Sequence, residues 1–180
     1  NIKSMTQFFY EDGLDTGAVL DRLDSGSTNI ADLALREQQT FRVSGGVIGT
    51  EATGKGTLQS DSFFASTLNE EKQDYQKTYA SNGTDVRNTT VFYYGASDGL
   101  TNTSTTRATS ATTTQSLVRS EQYKGNNDPN SPTVTTRQSN TYFRGAVGEE
   151  KVNFSQSFDS TGTNIKSMTQ FFYEDGLDTG

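Results

Sequence analysis

The sequence predicts an all-β tandem β-hairpin repeat, either a solenoid-like stack or a continuous-sheet fibre, and three observations support this. The stretch NIKSMTQFFYEDGLDTG occupies residues 1–17 and again residues 164–180, so the sequence restarts at Asn164. A diverged copy lies inside that period, displaced by the shift that aligns Gln59 with Gln138, which we call the half-repeat offset. Apolar and polar residues alternate through runs that end in Gly-containing turns, a pattern typical of hairpins.

The duplicated stretch indicates an array of tandem units, which continue into one another either covalently or by strand donation between subunits. Chance does not produce an identical match of this length, so we interpret the chain as one full unit and the start of the next, cut from a longer series. An engineered duplication or a circular permutation is the alternative. Because units of a repeat protein are completed by their neighbours, we expect residues 1–17 and 164–180 to adopt the same conformation.

The unit divides into two diverged halves, residues 1–84 and 85–163, and residues 164–180 begin the next unit. The opening aromatic motif at Phe8 returns at Phe92, a slightly longer shift than the half-repeat offset. This length difference between the halves falls in loops, which absorb insertions at low cost. Identical pairs at the half-repeat offset include Phe64/Phe143, Glu70/Glu149, Glu71/Glu150 and Lys72/Lys151.

Each half is predicted to contain a strand, a turn and a second strand. Val152, Phe154 and Phe158 alternate onto one face, as in a half-buried strand. Asp159 and Gly162 supply the turn, because Asp can hydrogen-bond its own backbone and Gly can adopt positive φ. The predicted strands are residues 40–43, 56–64, 75–79, 86–94, 133–142, 151–159 and 164–173.

Two corresponding stretches depart from this plan. Residues 28–37 allow one short helix, because an N-cap candidate precedes good helix formers and Ile30, Leu33 and Ala34 would share a face. The counterpart, residues 101–116, is almost wholly Thr and Ser. That composition disfavours a helix and suits an exposed strand or a loop.

An aromatic residue, Asp-x-x-Gly and a following aromatic strand recur along the chain. The matching segments are Phe158–Gly162, Phe172–Gly176 and, more loosely, Tyr79–Gly83. They resemble the YD repeats of bacterial RHS and teneurin-type proteins, which implies β-hairpins wound as a spiralling sheet. Ala80 replaces the family's Asp in the third segment, and the Arg-Leu expected after the Gly is absent. The Glu-Glu-Lys triplets also resemble repeats of giant bacterial surface proteins.

Composition excludes several classes of function. Only 30% of residues are hydrophobic but 11% are aromatic, which favours thin β-structure over a thick core. The net charge of −7 argues against binding to nucleic acids or anionic membranes, and no apolar run approaches the length of a membrane span. Because Cys and His are both absent, disulfides and the usual general base are excluded, and we expect no enzyme activity.

The glutamate pairs have both a chemical and a structural interpretation. Glu70-Glu71 and Glu149-Glu150 have the composition of a glycosidase carboxylate pair. Each pair, however, recurs at the same place in the repeat and is followed by Lys. This favours an exposed strand start with charge pairing.

Two further patterns involve ligands or modification. Clustered carboxylates beside Gly residues suit calcium, but the spacing fits neither an EF-hand nor a nonapeptide repeat, so a solvated acidic loop without cofactor is favoured. Glycosylation sequons have a plain polar surface as the favoured alternative. The calcium candidates are Asp12, Asp15, Asp21 and Asp24, and the glycosylation candidates are Asn82, Asn88, Asn102 and Asn153.

The aromatic residues at equivalent positions predict the main stabilising contacts. Burying one Phe contributes roughly 1.5–3 kcal/mol, and we expect these rings to stack as ladders between units. They are Phe64, Phe92, Tyr94, Phe143, Phe171 and Tyr173. The sequence therefore predicts a structural segment of an extracellular or cell-surface fibre whose partner is itself. The stalk of a bacterial adhesin and an RHS-like shell segment of a toxin are the alternatives.

Overall fold

All ten strands of the described residues form one antiparallel sheet. The structure, a computed structural model, describes residues 4–11, 20–22, 33–43, 55–96 and 103–173. The strands are β1 (Ser4–Glu11), β2 (Leu20–Arg22), β3 (Ala34–Val43), β4 (Lys55–Ala65), β5 (Lys72–Tyr79), β6 (Val86–Gly95), β7 (Ser116–Lys124), β8 (Arg137–Arg144), β9 (Lys151–Phe158) and β10 (Ile165–Gln170). Their spatial order is β10-β9-β8-β7-β6-β5-β4-β3-β1-β2. The prediction of an all-β fold is confirmed.

The pairing registers of the first half recur in the second. Phe63 lies opposite Tyr75 in β4–β5, and Tyr142 lies opposite Phe154 in β8–β9. Both members of the second pair follow their counterparts by the half-repeat offset, the shift that separates Gln59 from Gln138. Each pairing has a β-bulge at the next residue, and each has stacked rings with centroids 4.3 Å apart.

The turns between paired strands recur in the same way. Gly83 and Gly162 have φ angles of +73° and +69°, a region that favours glycine. In the second turn the Thr161 hydroxyl and the Asn164 amide donate to Asp159, lowering the pKa of that carboxyl from 3.8 to about 2. The Thr161 N–H also donates to the Asp159 carboxylate at 3.0 Å, so the predicted roles of Asp159 and Gly162 in the turn are confirmed.

The most buried side chains lie at the centre of the sheet, on β6 and β7. Val91 is fully buried and contacts Tyr93 and Tyr123 in a small apolar cluster. Glu121 lies directly opposite Val91 across the two strands, and it is buried as well. The core is thus a thin layer that mixes aromatic and charged groups.

The helix predicted over residues 28–37 is wrong where the structure describes it. Residues 34–37 begin β3, which pairs with β1 on one side and with β4 on the other. Backbone pairing on both edges outweighs a weak helix propensity. Residues 28–32 of that prediction lie outside the described residues.

Candidate assembly interface

One sequence occupies two positions in the sheet. β1 pairs with β3 along its length and with β2 only over Phe9–Glu11, whereas β10, whose Ser167–Gln170 repeats Ser4–Gln7, pairs only with β9 and ends the sheet of the described residues. Gln7, opposite Gln39 of β3, is 5% exposed, but its copy Gln170 is exposed. Both copies are extended over Ser4–Gln7 and its counterpart, although strand structure continues to Glu11 in β1 and stops at Gln170 in β10.

β10 is held in the register of an interior strand. Thr169 lies opposite Ser155 in β9–β10, just as Thr90 lies opposite Gln76 in β5–β6. On its other edge β6 continues into β7, with Thr90 opposite Gln122. The corresponding edge of β10 has no strand beside it among the described residues.

The free edge of β10 presents backbone groups and apolar side chains. The Phe171 N–H donates to the Asn153 carbonyl at 3.0 Å, on the β9 side. Because backbone groups alternate between the two edges of a strand, those of Met168 and Gln170 point away from β9. The Met168 side chain is 59% exposed. Natural sheets protect such edges by charge, proline or a covering element, and Lys166 is the one charged residue of β10.

An open cavity of about 970 Å³ lies on the other side of β10, at the start of β9. It lies between the start of β9, the turn before it and the residues that follow β10. Its lining residues are Arg144, Gly145, Glu149, Glu150, Lys151, Val152, Asn153, Phe171, Phe172 and Tyr173. Within it the Tyr173 hydroxyl donates to the Val152 carbonyl at 2.8 Å.

The equivalent place beside β5 and β6 is filled by the chain itself. Ala108, in a 3-10 turn over Ala108–Ser110, is fully buried against β4, β5 and β6. The preceding Arg107 makes a bidentate ion pair with Asp74 at 2.6 and 2.9 Å. Asn153 occupies the position of Asp74 in the second half, because the half-repeat offset separates the two residues.

The second glutamate of each Glu-Glu-Lys triplet accepts a backbone hydrogen bond. Glu71 accepts from the Leu35 N–H at 3.2 Å, and Glu150 accepts from the Leu117 N–H at 3.0 Å. Each acceptor is half-buried, whereas the preceding glutamates are exposed. The prediction of charge pairing at an exposed strand start therefore missed the main role of the second glutamate. Glu71, just before β5, binds the backbone of β3, and Glu150, just before β9, binds the backbone of β7. Recurrence of the triplet was the signal for a shared structural task.

The two halves carry different polar residues at one equivalent buried position, Asp61 in the first half and Asn140 in the second. Asp61, buried between Gln39 and Lys77 on the neighbouring strands, has its pKa raised from 3.8 to about 7 by burial and then by the charge of Glu37. The second half has Asn140 at this place.

Charged and phenolic groups surround that second position. Glu121 pairs with Arg119 at 3.4 Å and accepts hydrogen bonds from the hydroxyls of Tyr93 and Tyr123. Burial and then these contacts to Glu121 raise the pKa of Tyr123.

None of the six aromatic residues predicted from sequence belongs to the two ring stacks found among the described residues. Phe63 stacks on Tyr75 and Tyr142 stacks on Phe154, and Phe63 and Tyr142 each precede a predicted residue, Phe64 or Phe143. Tyr94 and Tyr173 instead act as matched anchors. The Tyr94 hydroxyl donates to the Gln73 carbonyl at 2.7 Å, as Tyr173 does to Val152. Each ring also has a lysine ammonium 5.3 or 5.4 Å from its centroid. Phe64, Phe92 and Phe143 are half-buried, and Phe171 is exposed.

Several of the remaining candidate residues lie outside the part of the chain that the structure describes. Asp12, Asp15 and Asp24 lie outside the described residues, and Asp21 belongs to β2. Asn102 also lies outside them. Asn88 and Asn153 are half-buried in strands, while Asn82 is exposed and its side-chain oxygen accepts from the backbone of its own turn.

Within the described ranges, no group of three or more acidic residues is arranged to hold a metal ion. No helix in the part of the chain that the structure describes has the length and apolar character to cross a membrane. No protein-family model, curated protein or solved structure matched the chain. The interface at β10 is therefore argued from geometry alone.

Proposed function

We propose that the chain is a structural segment of an extracellular or cell-surface fibre, in which tandem units extend one β-sheet. The observation that carries the proposal is that one repeated sequence pairs with β3 in its first copy, Ser4–Gln7, and with β9 in its second copy, Ser167–Gln170. In the fibre, β10 is the β1 of the next unit. Its outward backbone groups then pair with the β3 of that unit, as those of Met5 and Gln7 lie opposite Phe41 and Gln39.

The recurring registers support a sheet that grows by a fixed set of strands. The β5–β6 pairing is repeated by β9–β10, and the β1–β3 pairing is repeated by β6–β7, including the position of the bulge. Each junction therefore offers the following strand the same template. The partner of a unit in this proposal is another copy of itself.

The proposal assigns no catalysis and no cofactor. The second glutamate of each glycosidase-like pair, Glu71 or Glu150, is occupied as the acceptor of a backbone N–H group. The net charge of −7 and the polar composition suit a soluble surface structure that does not bind nucleic acid.

Electron microscopy of chains with increasing numbers of the unit formed by residues 1–163 tests the proposal. We expect rods of constant width whose length increases linearly with unit number. At each junction of these chains the equivalent of Gln170 is Gln7 of the following unit, and Gln7→Pro there removes an outward N–H while leaving the β9 pairing intact. This change should bend or shorten the rods. Strings of separate compact particles in the parent chain would contradict the proposal.

A further inference from the structure

The cavity beside β9 and β10 is lined by the residues that follow β10, where this strand could be extended. Its lining includes Phe171, Phe172 and Tyr173, whose counterparts in β1 are Phe8, Phe9 and Tyr10. In β1 this stretch does have a partner: Phe9 lies opposite Arg22 and Tyr10 opposite Asp21, both in β2.

β2 lies on the side of β1 that corresponds to the β9 side of β10. β1 has β3 on one edge and β2 on the other. β10 offers its free edge to a β3-like strand and uses the opposite edge for β9. A β2-like segment paired with Phe172 and Tyr173 would therefore lie in line with β9, where the cavity opens.

The filled counterpart beside β5 and β6 gives the contacts expected at this place. Tyr94, the counterpart of Tyr173, forms an isolated antiparallel bridge with Thr106 and donates its N–H to the Thr106 carbonyl at 2.8 Å. The next residue is Arg107, which pairs with Asp74. The residue that follows Asp21, the partner of Tyr10, is likewise an arginine, Arg22.

The cations in the cavity are compatible with such an occupant. Lys151 has Lys72 as its counterpart, and the Lys72 ammonium donates to the Gln115 carbonyl of the filling loop at 2.9 Å. A lysine at this place therefore holds the loop instead of excluding the arginine. Arg144 also lines the cavity, and the carboxylates of Glu149 and Glu150 offset the two cations there.

Resting on the proposed function, we infer that the cavity receives the Leu20–Arg22 segment of the next repeat unit. The segment pairs with Phe172 and Tyr173 as β2 pairs with β1, and its arginine approaches Asn153 as Arg107 approaches Asp74. The junction between units is then fastened on both edges of β10. A β3 strand lies along its free edge, and the β2 segment closes its end.

A two-unit chain, residues 1–163 followed by residues 1–180, tests this docking. Asn153→Asp in the first unit supplies the carboxylate that Asp74 provides in the first half. We expect it to raise the melting temperature of the two-unit chain by about 2–4 °C and to leave that of the single chain, residues 1–180, unchanged or lower. Arg22→Ala in the second unit should abolish the gain.

Two outcomes would overturn the inference. One is the same effect of Asn153→Asp in both chains, and the other is a gain that survives Arg22→Ala. The exposure of Met168 distinguishes an incorrect docking inference from an incorrect fibre proposal. If Met168 becomes protected in the two-unit chain without coupling between Asn153 and Arg22, only the docking is wrong. If Met168 stays exposed, the proposed continuous sheet is wrong.

Discussion

Strands β4–β6 and β8–β10 share one backbone pattern but carry different interiors. Registers, bulges and turns coincide, whereas Asp61 of the first set is replaced by Asn140 in the second. Residue identity is kept at the hairpin turns, in Gly83 and Gly162, and at the backbone-binding acceptors Glu71 and Glu150. The comparison teaches that turns and backbone-docking carboxylates specify this sheet more strongly than the charges across its middle do.

The two sets of strands also differ at their ends. The first is closed by the loop around Ala108, held through Arg107 and Asp74, whereas the second faces an open cavity. Stability is therefore expected to be lower near β10 than near β6, because fewer buried contacts hold the end of the sheet.

The largest expected effect tests whether the shared turns are equally constrained. In Gly162→Ala the new Cβ would overlap the Val134 carbonyl oxygen, and the residue would be held at positive φ. We expect a loss of about 3 kcal/mol in the free energy of unfolding, measured by denaturant titration. Gly83→Ala, with closest approaches of 2.9 Å, should cost somewhat less.

Gly125→Ala is the matched control for the conformational term. Gly125 has φ of +78°, but nothing lies within 4 Å of an added Cβ. Only the cost of positive φ, about 1 kcal/mol, is expected. Equal losses at Gly125 and Gly162 would show that the close approach to Val134 does not matter.

The second prediction concerns the glutamates that dock the turns. Glu71→Ala and Glu150→Ala each leave a backbone N–H without its acceptor, so each should lower the free energy of unfolding by about 1.5 kcal/mol. The exposed neighbours provide the controls, and Glu70→Ala and Glu149→Ala should change it by less than about 0.5 kcal/mol. A reversed order within either pair would refute the assigned roles.

The third prediction concerns variants that exchange the buried residues Asp61 and Asn140 between the two halves. The folded-state pKa of Asp61, about 7, lies above the unfolded value of 3.8, so the folded protein binds the extra proton. Stability contributed by this group is therefore fully present below about pH 4 and is lost as pH rises to about 7. Asp61→Asn should weaken this pH dependence and raise the melting temperature at pH 8 by roughly 2–4 °C.

The reciprocal change supplies the control. Asn140→Asp places a carboxylate opposite Glu121, so we expect lower stability at pH 8 than at pH 5. Scanning calorimetry at both pH values measures the two variants. An unchanged pH profile in Asp61→Asn would assign the dependence to another group.

The smallest effect tests the turn that precedes β5 and β9. Ser66 and Asn69 have positive φ angles of 89° and 64°, and glycines stand at the corresponding places, Gly145 and Gly148. Ser66→Gly should relieve this strain and stabilise the protein by about 0.5 kcal/mol. Gly145→Ser should be destabilising, since its added Cβ would lie 2.5 Å from the Glu149 carbonyl oxygen. Thermal unfolding of both variants would reveal the opposite signs.

Local signals in the sequence predicted part of this fold. The turns at Gly83 and Gly162 were predictable because Asp, Asn and Gly have local conformational preferences. β7 was missed because Arg119 and Glu121 occupy inward positions where an apolar residue would signal a strand. The helix prediction near Ala34 failed because pairing with β1 and β4 depends on distant residues. The bond from Glu71 to Leu35 was equally beyond local reasoning.

Oxidation of Met168 in the two-unit chain tests the continuous sheet most directly. With Met5 replaced by Leu, proteolytic peptides distinguish the junction methionine from the one near the C-terminus. In the single chain, residues 1–180, Met168 is 59% exposed and should react with peroxide faster than the half-buried Met5. The account predicts that the junction Met168 slows to the rate of Met5 while the C-terminal methionine stays fast. Equal, fast oxidation of both would contradict it.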